Sequence, residues 1–187
     1  MKTKQTIAVI GATGNMGSAI SKSLSKGNYK LLLCANEQDK VQTLVQQIKS
    51  ENSSADMEAV DCSTEASWEA DIIILALPYE AEKEVAEKIR EMANQKIVIS
   101  IANPLNSSYN GLVTAADTSA AEELQKLLPH SKVIKAFNTT FAADFTTPVI
   151  VFVCARAQIE LTSIATSIRP DVNVTDRRIL FIKLFLG

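Results

Sequence analysis

The sequence predicts an α/β protein with a doubly wound, mostly parallel sheet. Short apolar runs alternate along the chain with segments of helical periodicity, and parallel strands need such crossover helices between them. The run DIIILAL at residues 71–77 is apolar on both faces after its first residue. A strand of that kind is typical of a sheet covered by helices on each side.

The predicted strands are β-branched and aliphatic runs bounded by turn-forming residues. Pro78 ends the strongest of them, and Asn103 with Pro104 ends the next one along the chain. The predicted strands cover residues 7–10, 29–34, 57–60, 71–77, 96–101, 133–137 and 149–153. The expected strand order is 3-2-1-4-5-6, with the extra strand at the far edge.

The predicted helices are segments whose apolar residues recur every three or four positions. The first helix stops at Gly27 and Asn28, residues that commonly end helices. Ser119 is the expected cap of a later helix, with Glu122 completing a capping box three residues on. The predicted helices cover residues 16–26, 41–48, 80–92, 119–128 and 158–168.

Composition argues against several classes of function. The chain has 187 residues, of which 47% are apolar and 21% charged, with a net charge of −2. These values are ordinary for a soluble globular domain and do not suggest a nucleic-acid binder. We expect a single domain over residues 1–187, because this length allows one compact domain with a core. We also expect a location in the cytoplasm, because no run is long enough to span a membrane and the amino terminus lacks a signal peptide pattern.

The cysteines predict neither disulfides nor a metal site. Cys34, Cys62 and Cys154 are far apart, odd in number and without a C-x-x-C pair. We expect all three to be reduced and packed as small apolar residues.

The motif GATGNMG at residues 11–17 carries the chemistry. Its G-x-x-G-x-x-G spacing is one residue longer than the usual dinucleotide fingerprint, yet it lies between a predicted strand and a predicted helix. There Gly11 would permit the turn, Gly14 would let the backbone approach a pyrophosphate, and Gly17 would let the helix pack closely. Amides at the helix start would hold the phosphates, so the sequence predicts a Rossmann-like dinucleotide site.

The residues alone leave the nucleotide open. An acid about 20 residues past the glycines binds the ribose of NAD, whereas an arginine accepts the 2′-phosphate of NADP. Here Asn36 stands 19 residues after Gly17. Glu37 could reach the ribose, or Asn36 and Lys40 with Thr13 could donate to a 2′-phosphate. A third reading places Glu37 and Lys40 in solvent at a helix start.

Two further patterns are predicted to have no catalytic role. Tyr79 and Lys83 show the Y-x-x-x-K spacing of short-chain dehydrogenases, but they directly follow the fourth strand. The lone histidine, His130, is expected in a surface loop. The predicted solvated face of the helix around the Tyr79–Lys83 pair carries Glu80, Glu82 and Glu84.

Four segments together resemble the NADP-dependent oxidoreductases of the deazaflavin coenzyme F-420. They are IAVIGATGNMG, ADIIILALPYEAEKEVAEKI, KIVISIANPL and SAAEELQKLLPHSKVIKAFNTTFA, spanning residues 7–142 in the family's order. The resemblance implies an enzyme that moves hydride between NADP(H), or alternatively NAD(H), and a second ring of coenzyme F-420 or a flavin. It implies no catalytic acid or base, because such transfer depends on positioning.

The resemblance also implies a set of cofactor-binding residues. The family's strand-end Ser-Arg pair is replaced here by Ala35 and Asn36. Leu77 and Pro78 would wall the ring side of the cofactor, and Asn103 and Pro104 would lie under the nicotinamide. The adenosine diphosphate part would be held by Gly11, Ala12, Thr13, Gly14, Asn15 and Met16. The pocket for the second ring would be lined by Ala136, Phe137, Asn138 and Thr139.

Residues 150–187 diverge from the family. Cys154, Ala155 and Arg156 stand where the family has a glycine and acidic residues, and the segment RRILFIKLFLG is strongly apolar. Such a patch favours a homodimer, the alternative being a helix docked on its own sheet. Two other functions stay open: a non-catalytic NAD(P)H-binding sensor or regulator, and a reductase of flavins or ferric chelates.

Overall fold

The computed structural model describes residues 4–108, 110–139 and 141–146. Six strands of this part form one parallel sheet in the order β3-β2-β1-β4-β5-β6. The strands are β1 (Gln5–Ile10), β2 (Tyr29–Cys34), β3 (Asp56–Ala59), β4 (Ile72–Leu75), β5 (Ile97–Ser100) and β6 (Lys132–Lys135). The doubly wound fold and its strand order are those predicted from the sequence.

Helices cover both faces of the sheet. They are α1 (Asn15–Leu24), α2 (Gln38–Glu51), α3 (Ser63–Glu69), α4 (Tyr79–Ile89) and α5 (Ala120–Leu127), followed by a short 3₁₀ helix at Ala142–Thr146. No helix in this part of the chain is both long and apolar enough to cross a membrane.

Two apolar cores lie on opposite sides of the sheet, because side chains alternate along each strand. Ile7 and Val9 of β1 pack in the core under α1 and α2, whereas Ala8 and Ile10 pack in the core under α3, α4 and α5. All four residues of β4 are buried, as the apolar run predicted. The centre of the sheet, where β1 lies between β2 and β4, is therefore packed on both faces.

The capping box predicted at the start of α5 is only partly formed. The Ser119 hydroxyl oxygen accepts from the Glu122 amide at 3.3 Å, and the hydroxyl donates to the Glu122 carboxylate at 2.8 Å. In the standard box the carboxylate instead bonds to the amide of the capping residue.

One helix is absent from the sequence prediction, and two predicted elements lie outside the described residues. The missed helix, α3, has seven residues and buries only Ala66 and Ser67, so it has almost no apolar periodicity to find. The expected strand at 149–153 and helix at 158–168, like Cys154 and the apolar segment near the carboxyl terminus, fall in the part that the structure does not describe.

Candidate functional site

The turn after β1 is held in place by the end of β2. The amides of Gly11 and Ala12 both donate to the carbonyl oxygen of Cys34, at 2.8 and 3.1 Å. Gly11 has a φ of +85°, and a Cβ there would lie 2.3 Å from the carbonyl oxygen of Ala76. Only glycine fits this position, for reasons of conformation and of space.

The other two glycines of the motif serve different purposes. A Cβ on Gly17 would lie 2.1 Å from the Gly11 carbonyl oxygen, so this glycine lets α1 pack directly on the turn. Gly14 is exposed, and the nearest atom to a Cβ built on it is 3.4 Å away. The protein itself has room for a side chain at Gly14, so packing alone does not require a glycine there.

The first turn of α1 has no side-chain cap. Gly14 occupies the N-cap position and offers no side chain to cap the helix, and the first turn carries no acidic residue. The helical bonds begin with Ser18, whose amide donates to the Gly14 carbonyl oxygen at 2.8 Å. The preceding amides of Asn15, Met16 and Gly17 have no carbonyl of their own helix to pair with, and they lie at the positive end of the helix dipole.

A cleft of about 700 Å³ opens in front of this turn, at the carboxyl ends of β1, β2 and β4. It brings together seven of the residues that the sequence singled out for the nucleotide: Gly11, Thr13, Gly14, Asn36, Glu37, Leu77 and Pro78. In a doubly wound sheet, ligands bind at such a position, where the strand order reverses.

The opposite wall of the cleft was missed by sequence reasoning. It is formed by residues 61–64, at the start of α3, together with Val85 and Lys88 of α4. Because α3 was not predicted, nothing in the sequence placed the segment after β3 beside the glycine turn. Asp61, directly after the weak strand, was the one available signal.

The residues considered for the choice between NAD and NADP follow the end of β2. Glu37 lines the cleft, and its carboxylate pairs with the Lys40 ammonium at 2.7 Å. Lys40 itself is outside the cleft lining, and both side chains are about two-thirds exposed, at 63% for Lys40 and 65% for Glu37. Asn36 is exposed and lines the cleft directly.

Residues expected near the rings form a second group at the ends of β5 and β6. The side-chain nitrogen of Asn103 (Nδ2) donates to the backbone carbonyl oxygen of Asn138 at 2.9 Å. The side-chain nitrogen of Asn138 (Nδ2) donates to the side-chain oxygen of Asn103 (Oδ1) at 3.3 Å. Ala136 is buried and its amide bonds to the Ser100 carbonyl oxygen. Phe137 has a φ of +60° and packs against Phe145.

The other predicted cofactor-binding residues lie outside the lining of this cleft. Ala12 is buried under the turn, while Asn15 is exposed and Met16 packs partly against the core. The residues that the structure places outside the lining at the ring end are Asn103, Pro104, Ala136, Asn138 and Thr139. Lys40 also lies outside the cleft lining.

The two described cysteines differ, which corrects the expectation that all are packed in the core. Cys34 is buried, and burial, with smaller contributions from Cys62 and Asp61, raises the pKa of its thiol to about 11. Cys62 is exposed at the cleft wall, and a 2.7 Å contact between its sulfur and the Thr64 hydroxyl, with nearby backbone amides, lowers its pKa.

The Y-x-x-x-K spacing has a structural explanation. The Tyr79 hydroxyl donates to the Glu123 carboxylate, and this bond, more than burial, raises the pKa of the phenol to about 12. Lys83 is exposed, as is His130. The phenol is thus tied to α5 rather than paired with Lys83.

The expectation of a solvated acidic face is wrong at one position. Glu80 and Glu84 are exposed, but Glu82 is only 3% exposed and accepts a 2.6 Å hydrogen bond from the Ser100 hydroxyl. Alternating acidic residues suggested solvent on the whole face. The inward turn of Glu82 depends on partners from two distant strands, which the helix sequence does not reveal.

The fold and its glycine-rich turn place the chain in the class of Rossmann-like proteins, the α/β domains that bind dinucleotides. The sequence profile of the family described as "NADP oxidoreductase coenzyme F420-dependent" matches residues 6–104, slightly more than half of the chain. The chain therefore belongs to this family, as the four segments indicated.

Named relatives agree with this assignment. The chain is 31% identical over 139 residues to the F420-dependent NADP reductase of Methanocaldococcus jannaschii, covering 70% of this chain and 61% of that protein. It is 26% identical over 153 residues to the protein of the same name from Methanothermobacter marburgensis, covering 76% and 68%. The chain thus spans about three-fifths of the length of the first of these relatives.

Solved structures show the same fold. A candidate F420-dependent NADP reductase from Arthrobacter sp. FB24 superposes with a TM-score of 0.63 at 24% identity, covering 86% of this chain and 77% of that one. An imine reductase from Bacillus cereus gives a TM-score of 0.57 at 17% identity, covering 75% and 43%.

Proposed function

We propose that this chain binds NADP(H) on its glycine turn and catalyses hydride transfer between the nicotinamide and coenzyme F-420. The observation that carries the proposal is the uncapped first turn of α1, where Gly14 leaves open space that no packing contact of the protein explains. The choice of coenzyme F-420 as the second substrate rests on the relatives that are named F420-dependent NADP reductase.

The proposed binding mode follows the order of residues along the cleft. The pyrophosphate lies against Gly11 and Gly14, where the amides of Asn15 and Met16 donate to it, and Thr13 faces the same space. Asn36 contacts the adenosine ribose. Ala12 supports the turn from below. On the ring side, Leu77 and Pro78 wall the nicotinamide.

The proposed ring end uses the bonded pair at the ends of β5 and β6. Asn103 and Pro104 lie under the nicotinamide, and the two hydrogen bonds between Asn103 and Asn138 fix this support. Ala136, Asn138 and Thr139 border the place of the second ring. Thr139 is the outermost of them and is exposed.

The residues act by binding, orientation and exclusion of water. The dinucleotide and the deazaflavin supply the hydride donor and acceptor carbons, and the chain holds them in contact. The proposed ring end contributes amides and apolar side chains rather than a titrating acid or base. Rate acceleration then comes from alignment of the two rings.

The ion pair at the start of α2 favours NADP over NAD in this proposal. An unpaired carboxylate facing the cleft would repel a 2′-phosphate and accept from the ribose hydroxyls. Here Lys40 neutralises Glu37 at 2.7 Å, which removes that repulsion. Asn36 and Thr13 then donate to the phosphate in place of the family's arginine.

No contact among the described residues favours the two alternatives left open by the sequence, a non-catalytic sensor and a flavin or ferric reductase. We also propose that the chain is a single domain, acts in the cytoplasm and forms a homodimer. Light scattering on the purified chain tests the homodimer.

The experiment on the function mixes the purified chain with NADPH and oxidised coenzyme F-420 and follows both absorbance bands. We expect the nicotinamide and deazaflavin bands to fall together, and the reverse reaction to restore them. Binding of NADPH without any oxidation by the deazaflavin would contradict the enzyme proposal. Tighter binding of NADH than of NADPH would contradict the choice of nucleotide.

A further inference from the structure

A buried polar cluster lies beneath the proposed ring end, between the sheet and the layer of α4 and α5. Its members are Glu82 of α4, Ser100 of β5 and Lys135 of β6. Glu82 and Ser100 are 3% and 0% exposed, and the Ser100 hydroxyl donates to Glu82 Oε1 at 2.6 Å. Ser100 and Lys135 are register partners in the sheet.

All three side chains lie on the same side of the sheet. Ser100 alternates with Ile99 and shares the face of Val98, and Lys135 shares the face of Val133. Val98 and Val133 belong to the core under α3, α4 and α5. The Lys135 Nζ atom is buried there without a hydrogen-bond partner among the described residues.

The charges of the cluster compensate one another. Burial raises the pKa of Glu82, while the Ser100 hydrogen bond and the Lys135 charge act in the opposite direction. Burial lowers the pKa of Lys135, and Glu82 opposes this change. Burying titratable groups of this kind adds little to stability compared with apolar packing, so their presence at this position calls for another reason.

Each member stands a few residues from the proposed ring end. Pro78 is the N-cap of α4, and Glu82 follows it by four residues. Ser100 ends β5 three residues before Asn103, and Lys135 ends β6 three residues before Asn138. The cluster therefore lies where three chain segments leave the sheet, the segments that lead to the proposed place of the nicotinamide.

We propose that Glu82, Ser100 and Lys135 are positioning residues, which fix the spacing of the Pro78, Asn103 and Asn138 segments and thereby the alignment of the two rings. The inference rests on the proposed function, because it assumes that the nicotinamide lies at this end of the cleft. None of the three residues touches the reacting atoms.

The test compares two serines whose hydroxyls each donate a buried hydrogen bond, one at the carboxyl end of β5 and one just before the amino end of β6. Ser100→Ala removes the link to Glu82. Ser131→Ala removes a buried 2.8 Å bond from the Ser131 hydroxyl to the Ala93 carbonyl oxygen, at the amino edge of the same part of the sheet. Both variants lose one buried hydrogen bond donated by a serine hydroxyl, so Ser131→Ala controls for the general effect of removing such a bond.

We expect Ser100→Ala to lower the single-turnover rate of hydride transfer by roughly tenfold, because small misplacements of reacting groups are costly. The Kd for NADPH should stay within about twofold of wild type, since the adenosine and phosphate contacts are untouched. Ser131→Ala should leave the rate unchanged, and Ser100→Thr, which keeps the hydroxyl, should restore most of it.

A measurement without any acceptor separates this inference from the proposed function. The fluorescence of bound NADPH reports the surroundings of the dihydronicotinamide, and we expect it to change in Ser100→Ala but not in Ser131→Ala. If wild type binds NADPH without turnover and this difference is present, the positioning role stands and the proposed reaction does not.

Equal rates and equal fluorescence in Ser100→Ala and wild type would overturn the inference, as would an equal loss in Ser131→Ala. Should Ser100→Ala not give folded protein, Lys135→Met carries the same expectations, because it keeps the length of the side chain and removes its charge.

Discussion

At the scale of single residues, the three glycines of the turn are equivalent in the motif but not in the structure. Gly11 is required by its positive φ and Gly17 by its contact with the turn. Gly14 alone faces open space, so substitutions there separate ligand binding from folding.

Gly14→Val should leave the fold intact and raise the Kd for NADPH by at least roughly 100-fold, since each charge-assisted bond to the pyrophosphate contributes about 1.5–3 kcal/mol. Calorimetry measures the Kd and circular dichroism the fold. Gly17→Ala is the contrasting variant, with an expected loss of about 1–3 kcal/mol in the free energy of unfolding from overpacking. Undiminished binding by Gly14→Val would mean that the phosphates bind elsewhere.

Cys62 offers a direct report on occupancy of the cleft. Its lowered pKa means that more of the reactive thiolate is present at a given pH than in an ordinary cysteine, so alkylation of Cys62 should be faster than that of an unperturbed exposed thiol. Cys34, buried and with its pKa raised to about 11, should react far more slowly.

NADPH should slow alkylation at Cys62, because this side chain lines the cleft in which we propose that the dinucleotide binds. Mass spectrometry of the peptide that contains Cys62 measures the rate with and without nucleotide. A rate that saturating NADPH leaves unchanged would place the nucleotide away from the α3 wall.

At the scale of elements, the proposed preference for NADP depends on the ion pair at the start of α2. Lys40→Met should expose the Glu37 carboxylate and shift the ratio of the Kd values towards NADH by about two- to fivefold, the range expected of a solvent-exposed ion pair. Glu37→Gln should shift the ratio the other way. Lys49→Met, which removes a cation from the last turn of the same helix, is the control and should have no effect.

The elements also show what the sequence can predict. The apolar run of β4 and the glycine turn are local signals. They led to the right strand order, and several of the residues that they pointed to line the cleft. The wall formed by α3 has no such signal, because its seven residues bury little apolar surface. The inward orientation of Glu82 and the reciprocal bonds of Asn103 and Asn138 depend on partners that only folding brings together.

At the scale of the whole molecule, the cleft sits where β1 has β2 on one side and β4 on the other. Ligand binding there contacts the chain segments after three central strands, so it should stabilise the entire fold. At a nucleotide concentration of 100 times Kd, the expected gain in unfolding free energy is about 2.7 kcal/mol.

Thermal unfolding with increasing NADPH measures this gain. The shift should be present in wild type and nearly absent in Gly14→Val at the same concentrations. A large shift in Gly14→Val would indicate stabilisation by binding outside the glycine turn.

The bonds from Gly11 and Ala12 to the Cys34 carbonyl oxygen have a consequence for the energetics of binding. They hold the glycine turn, the proposed phosphate site, against the end of β2, the proposed ribose site, before any nucleotide binds. Preorganisation of this kind lowers the conformational entropy lost on association. Amide hydrogens of the turn should therefore exchange slowly even in the nucleotide-free chain, and saturation with NADPH should add little further protection to Gly11 and Ala12.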